Sequence, residues 1–328
     1  MCTCGKWKVS NKDFFKKGVA NRKTVCYDKY IEKGMKKNMI TVNGHKLRVV
    51  TFPNGERTIA VPKETKMFNT ATVYWKYEND GEFVLLNQLA DVLQNLGVEN
   101  VACLVAYMPY SRMDRRMGGH PFSLAVVGAM LPRTSWSYSV LEPHSDATLR
   151  ALPEYASPHY VTVDLVNDFI KESSNSKRVV VFPDKGARER YKGKLDMGTD
   201  GDSWMFYGEK QRDEQGNIIS LALFESKTDS KVTVEDPDFL RGYDVIIADD
   251  LTSYGGTFIR CAKILKELGA KDITLVVTHA EKSVLDGDLF EHIEHLVTTD
   301  SIISQEDVDA SPYKDRITVN PIITGGNI

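Results

Sequence analysis

No stretch of this chain approaches the roughly 18 consecutive apolar residues of a membrane span, and the opening MCTCGKWKVSNKDFF lacks the apolar core of a secretory signal. No membrane association is expected, and the default location is the cytoplasm. Cysteine is scarce and irregularly spaced: five residues, Cys2, Cys4, Cys26, Cys103 and Cys261. An odd count without regular spacing excludes a disulfide framework. Cys2 and Cys4 lack a second pair at metal-site spacing, while Cys103 and Cys261 sit in apolar surroundings and read as small buried hydrophobes. Nor does one charge dominate: 42 Lys and Arg face 45 Asp and Glu, for a net charge of −3. A dedicated nucleic-acid binder would carry a basic surplus, and a disordered chain would fall short of the 42% hydrophobic content found here.

What is present is an alternation of strand and helix signals over 328 residues. At roughly 100–200 residues per domain, that length suggests two domains. Residues 1–38 are rich in lysine and read as a basic extension, a solvated arm rather than a nucleic-acid site. MITV and HKLRVV flank Asn43-Gly44, a strong two-residue hairpin signal, and Pro53-Asn54-Gly55 marks a second turn before RTIAV. Residues 83–96 have helical apolar spacing with Gly97 as the C-terminal cap. VACLVAYM, 101–108, is a continuous apolar run that predicts a strand buried on both faces. A helix over 121–131 and a strand over 136–142 follow.

The second half repeats the pattern, with strands predicted at 178–184, 220–226, 243–250, 273–280 and 295–300 and a helix over 257–268 ended by Gly269. The fold class is α/β, two similar doubly wound parallel-sheet domains, divided into 39–155 and 156–328 around the break at Pro153–His159.

The clearest chemistry lies in VIIADDLTSYGGTFIRCAKILKELGA, 245–270. An apolar strand ends in Asp249 and Asp250, and a short loop through Ser253, Tyr254, Gly255, Gly256 and Thr257 opens an amphipathic helix. Strand end and helix start together offer N–H groups and a positive dipole end to an anion. Glycines admit a phosphate close to the backbone, Thr257 can donate a hydroxyl, and the carboxylates suit ribose hydroxyls and Mg²⁺. A plain capped turn is the bland reading, and two acids followed by SYGGT is too specific for it.

This segment resembles the phosphoribosyl-binding signature of the type I phosphoribosyltransferases, shared by the ribose-phosphate pyrophosphokinases (PRPP synthetases). The wider chain resembles the second group from about Val50 to Ile317. FPNGE is similar to that family's adenine-contacting turn, which implies Phe52 stacking on the base and Asn54 and Glu56 reading its edge. PYSRMDRR resembles its ATP-phosphate segment, implying Arg112, Asp114, Arg115 and Arg116 on the nucleotide, with Met113 in place of the usual glutamine. EPHSD and FPDKGARER imply His144 and Asp184 on the metal side, with Arg190 matching the family arginine. EKQRDEQGN resembles a flexible-loop K-x-R motif, implying Lys210 and Arg212, with Arg112, as catalytic cations.

The resemblance implies a Mg²⁺-dependent enzyme with ATP as co-substrate and two domains of the phosphoribosyltransferase type. It also implies a homo-oligomer, a dimer or hexamer assembled through N-terminal domains, in which Phe52–Glu56 serves a neighbouring subunit. The expected reaction moves the β,γ-pyrophosphoryl group of ATP to the 1-hydroxyl of a ribose phosphate and releases AMP. The family's D-T before G-G-T is replaced by Ser253 and Tyr254. That departure suits a 5-phosphate esterified further, as in ADP-ribose, beside ribose 5-phosphate itself. Two rivals share the motif: a phosphoribosyltransferase, and a non-catalytic regulatory relative.

Overall fold

Asn43 and Gly44 both take positive φ, 47° and 78°, the mirror-image turn that matches strand twist. They fold Ile40–Val42 (β1) onto His45–Lys46 (β2), as the sequence predicts. The computed structural model describes residues 39–322 apart from 64, 154, 173–174, 176, 196, 198–202, 213–217 and 233–236, and not the side chains of 210–221. The basic extension 1–38, with Cys2, Cys4 and Cys26, therefore lies outside the described residues.

Arg48–Thr51 (β3) and Arg57–Ala60 (β4) form a separate hairpin about the second predicted turn. Thr70–Trp75 (β5) then runs antiparallel to β1 and parallel to Asn100–Val105 (β6). Between them Glu82–Asn95 (α1) buries Phe83, Leu85, Leu86, Leu89 and Leu93, the helical stripe seen in the sequence. Ser123–Ala129 (α2), Trp136–Leu141 (β7), Asp146–Ala151 (α3) and Ala156–His159 (β8) complete the unit. The sheet order is β2-β1-β5-β6-β7-β8. β8 pairs in parallel with β7, so the first sheet extends to His159, beyond the division expected after residue 155.

The helices of the described residues pack on one face of this sheet, in a single core with Val73, Cys103 and Tyr138. β6 is consequently half-covered: Val101, Cys103 and Val105 are buried, Ala102 is exposed and Leu104 is half-buried. This corrects the expectation of a strand buried on both faces. Small and apolar residues on the far side of a strand look the same in sequence whether or not a helix covers them.

Val161–Glu172 (α4) leads into the second sheet through Arg178–Phe182 (β9), Lys185–Tyr191 (α5), Ser203–Arg212 (β10), Ile218–Glu225 (β11) and Asp244–Thr252 (β12). Gly256–Glu267 (α6), Ile273–Ala280 (β13), Leu289–His292 (α7), His295–Thr299 (β14), Gln305–Asp309 (α8) and Ile317–Asn320 (β15) follow. Its order is β11-β10-β9-β12-β13-β14-β15, parallel except for β11. Two separate cores flank it: Val181, Ile247, Leu275 and Leu265 on one face, Val163, Val166, Val180, Ile246 and Val276 on the other. Every residue of β13 is buried. This sheet is doubly wound, and its carboxyl ends face those of the first sheet.

Candidate active site

The loop after β12 is shaped by Gly255. Its φ is +82°, and a Cβ there would lie 2.5 Å from Leu289 Cδ1, so both conformation and space demand glycine. As N-cap of α6 it supplies no side chain to satisfy the first-turn N–H groups. The helix start, at the Gly255, Gly256 and Thr257 loop that the sequence singles out, thus keeps first-turn N–H groups without a side-chain cap. Ser253 is half-buried, while the Tyr254 ring is 64% exposed at the lip of the loop.

Asp249 and Asp250 are held by a neighbour from α5. The Arg190 guanidinium lies 3.0 Å from Asp249 Oδ1 and 3.0 Å from Asp250 Oδ1, and it donates to the His144 carbonyl at 2.6 Å. His144 Nδ1 lies 2.6 Å from Asp250 Oδ2. Burial opposes ionisation of Asp250, but the hydrogen bond with His144 and the charge of Arg190 outweigh it and hold the carboxyl well below the usual range. Asp249 is pushed the other way, by burial first and the Asp250 charge second. The pair therefore offers one firmly ionised carboxylate and one with raised proton affinity. Asp184 caps α5, accepting from the Ala187 N–H at 3.1 Å.

Glu142, which the sequence places only within EPHSD, ties the two sheets together beneath this cluster. It is buried, with φ of +46°. Its carboxylate accepts from the Thr162 N–H at 2.8 Å, the Thr278 hydroxyl at 2.7 Å and the Tyr191 hydroxyl at 2.8 Å. Those partners come from α4, β13 and α5, so one acid at the end of β7 fixes the second sheet's elements around His144. Burial pushes its pKa up, opposed by these three donors.

Arg112 crosses the cleft from the first unit. It lies 2.5 Å from Glu281 Oε1 and donates to the Ser253 hydroxyl at 3.2 Å. Arg112, His144, Asp184, Asp249, Asp250, the 253–257 loop and Arg260 line one open cleft of about 390 Å³. The structure thus gathers most of the expected residues. Asp114 lies nearby and accepts from the Ser145 hydroxyl at 2.7 Å, an anchoring contact. Arg115 and Arg116 are exposed.

Phe52, Asn54 and Glu56 do not line the cleft. They sit at the tip of the β3–β4 hairpin, where the Glu56 N–H donates to Asn54 Oδ1 at 3.2 Å, and the hairpin leans on α1 through the Gln88 amide on the Arg57 carbonyl. Lys210 and Arg212 fall in β10, their backbones paired with β11, and not in the flexible loop that the K-x-R resemblance implies; their side chains lie outside the described residues. Sequence reasoning missed Glu281 as a site residue. Its one signal was an acid directly after the apolar strand ITLVVTHA, at the carboxyl edge where ligands of α/β sheets bind.

Among the described residues no group of three His, Cys, Asp or Glu side chains is spaced to hold a metal alone. The cleft still suits Mg²⁺, which is commonly held by one or two carboxylates, waters and substrate phosphates. A larger hollow, about 560 Å³, lies at the other end of the second sheet. Asp168, Glu172, Asp244 and Asp272 line it, so its charge opposes any phosphate ligand.

No protein-family model matches the chain. Among curated proteins it is 30% identical over 255 residues to a ribose-phosphate pyrophosphokinase of Pyrococcus abyssi, covering 76% of this chain and 81% of that one. It is 31% identical over 243 residues to one of Thermococcus kodakarensis, covering 71% and 77%. Among solved structures it is similar to phosphoribosylpyrophosphate synthetase from Mycobacterium smegmatis, with a TM-score of 0.62, 21% identity and coverage of 84% and 86%.

Proposed function

This chain belongs to the ribose-phosphate pyrophosphokinase family, enzymes of pyrophosphoryl transfer, and from that premise we propose that it uses Mg-ATP to pyrophosphorylate the 1-hydroxyl of ribose 5-phosphate or of a 5-substituted ribose phosphate such as ADP-ribose. The observation that carries the reading is the cleft itself. A helix start free of side-chain caps, two adjacent carboxylates held by Arg190 and a cation from the first unit converge on one space.

The 1-hydroxyl oxygen bonds to the β-phosphorus, the bond from that phosphorus to the oxygen bridging the α-phosphate breaks, and AMP leaves. The hydroxyl proton departs to solvent or to Asp249, whose raised proton affinity suits that role. Gly255–Thr257 hold the sugar phosphate, and Asp249 and Asp250 accept from the ribose hydroxyls. Arg112, Lys210 and Arg212 meet the charge that develops on the transferring group. A metal bound beside Asp184 and His144 would offset phosphate charge. Alignment of two reactants alone supplies on the order of 7–11 kcal/mol.

Phe52, Asn54 and Glu56 read the adenine of a neighbouring subunit. In support, the hairpin projects from α1 instead of lining its own cleft. A dimer or hexamer then follows. The first unit, residues 39–159, acts as the ATP domain, and the second, from residue 160, acts as the sugar domain.

The extended substrate rests on Tyr254, whose exposed ring at the lip of the phosphate loop can flank a group leading outward from the 5-phosphate. The test is a sugar screen with Mg-ATP, reading AMP release. Release that depends on ribose 5-phosphate or ADP-ribose supports the reading. Release driven by a base and a preformed sugar pyrophosphate, without ATP, would make the chain a phosphoribosyltransferase, and no turnover on any sugar would make it a regulatory relative.

A further inference from the structure

Glu281 begins the segment after β13, and its backbone N–H donates to the Thr252 carbonyl at 2.9 Å, which seats it beside the sugar-phosphate loop. One carboxylate oxygen lies 2.5 Å from Arg112 Nη2, and the other accepts from the Ser253 hydroxyl at 2.5 Å. Three residues from three segments therefore form a closed triangle at the mouth of the loop. Neither the departure at Ser253 nor the expected role of Arg112 accounts for an acid at this point.

We propose that Glu281 is a specificity-determining residue, whose carboxylate favours a sugar 5-phosphate that is esterified further over a free phosphate monoester. This rests on the sugar-binding role of the 253–257 loop. Two effects act in the same direction. Ser253 has one hydroxyl proton, and it is committed to Glu281, so the phosphate cradle loses that donor. Glu281 also sets a negative charge beside the cradle. A free 5-phosphate carries close to two charges near pH 7, whereas the 5-phosphate of ADP-ribose carries one and the second charge sits on the outer phosphate, farther from the cradle, so Coulomb repulsion at the cradle is larger for the monoester.

Nearby cations do not cancel the difference. Arg112 neutralises Glu281 while the pair is closed, but its expected role in catalysis turns it toward the phosphates of ATP. Lys282 is directed to Asp307 at 2.6 Å. Arg260 lines the cleft, bonded to the Gly256 carbonyl at 3.2 Å, and serves either sugar.

The test is Glu281→Gln, which keeps size and hydrogen bonding and removes the charge, with Glu281→Ala as a second variant that also frees Ser253. Wild type and variants are compared by kcat/KM for ribose 5-phosphate and for ADP-ribose at saturating Mg-ATP, and by direct titration of each sugar. The ratio of ribose 5-phosphate to ADP-ribose, in turnover and in affinity, is expected to rise about fivefold to tenfold, the size of one charge interaction at about 4 Å across the water of an open cleft. A ratio that stays constant or falls in both variants overturns the proposal. Wild type that turns over neither sugar contradicts pyrophosphoryl transfer instead, and the titrations then decide the role of Glu281 by themselves.

Discussion

Every residue of β13 in the second sheet is buried, whereas β6, an inner strand of the first, alternates between buried Cys103 and exposed Ala102. The second sheet carries a core on each face and the first a single core. The chemistry divides just as unevenly. The second unit brings the 253–257 loop, both aspartates, Arg190, Asp184 and Glu281 to the cleft; the first brings Arg112 and His144. The better-covered sheet holds the groups that need fixed positions, because a ligand-binding loop is only as well placed as the strands beneath it. The first sheet presents the exposed Arg112, Arg115 and Arg116 and a hairpin that does not line the cleft.

If the second unit carries the chemistry, the largest effect should come from its K-x-R strand. Lys210→Ala is expected to lower kcat by about 10³ while ATP binding changes little, since such a cation acts chiefly in the transition state. Steady-state kinetics beside nucleotide titration checks this, and unchanged turnover would remove Lys210 from the mechanism.

Asp250→Asn tests the division of the half-sites. Sugar affinity should fall about tenfold or more while ATP affinity is nearly kept. Arg190 is then left with less charge to balance it, which for a broken buried pair costs about 3–5 kcal/mol, so thermal unfolding should fall as well. Loss of ATP binding with normal sugar affinity would reverse the assignment.

Unequal covering makes a prediction about stability. Ile246→Ala, in the doubly covered sheet, should cost about 2–5 kcal/mol. Ala102→Ser, on the open side of the first, should stay within about 0.5 kcal/mol. Denaturant unfolding of the two variants measures the contrast, and equal costs would erase it.

The seam between the units responds to acid. His279 ends near the first unit, its ring edge-on to Tyr107 with centroids 4.9 Å apart, and its Nδ1 lies 2.8 Å from the Ser301 hydroxyl. Burial lowers its pKa from 6.5 to about 4, against the opposing pull of Asp250. Because the folded value is the lower one, the unfolded chain takes the proton first. Stability is full above about pH 6.5 and declines as pH falls toward 4, by up to about 3 kcal/mol from this group. His279→Gln should flatten that part of the profile.

The sequence made the second unit more legible than the first. β12, α6, β13 and β14 announce themselves by apolar runs, glycine caps and one unmistakable loop, and the structure has them within a residue or two. Both hairpins followed from Asn-Gly and Pro-Asn-Gly. Less was visible where tertiary context decides. TATVYW, which forms β5, and α4, which covers β12 and β13, have periodicities too short or mixed to stand out. The open face of β6 could not be read from its composition. In the site, the SYGGT loop and the paired acids were plain, but the roles of Glu142 and Glu281 depend on partners more than a hundred residues away, Thr278 and Arg112. Arg190 was visible only as a motif letter, and its hold on two carboxylates at once is a property of the folded chain.

In the proposed reaction the two units bring ATP and a sugar phosphate together so that the pyrophosphoryl group moves intact. Phosphorus NMR of the purified chain with Mg-ATP and either ribose 5-phosphate or ADP-ribose tests it most directly. AMP and a sugar 1-pyrophosphate should appear in equal amounts as ATP declines. ADP as the nucleotide product, or free pyrophosphate with the sugar unchanged, would contradict it.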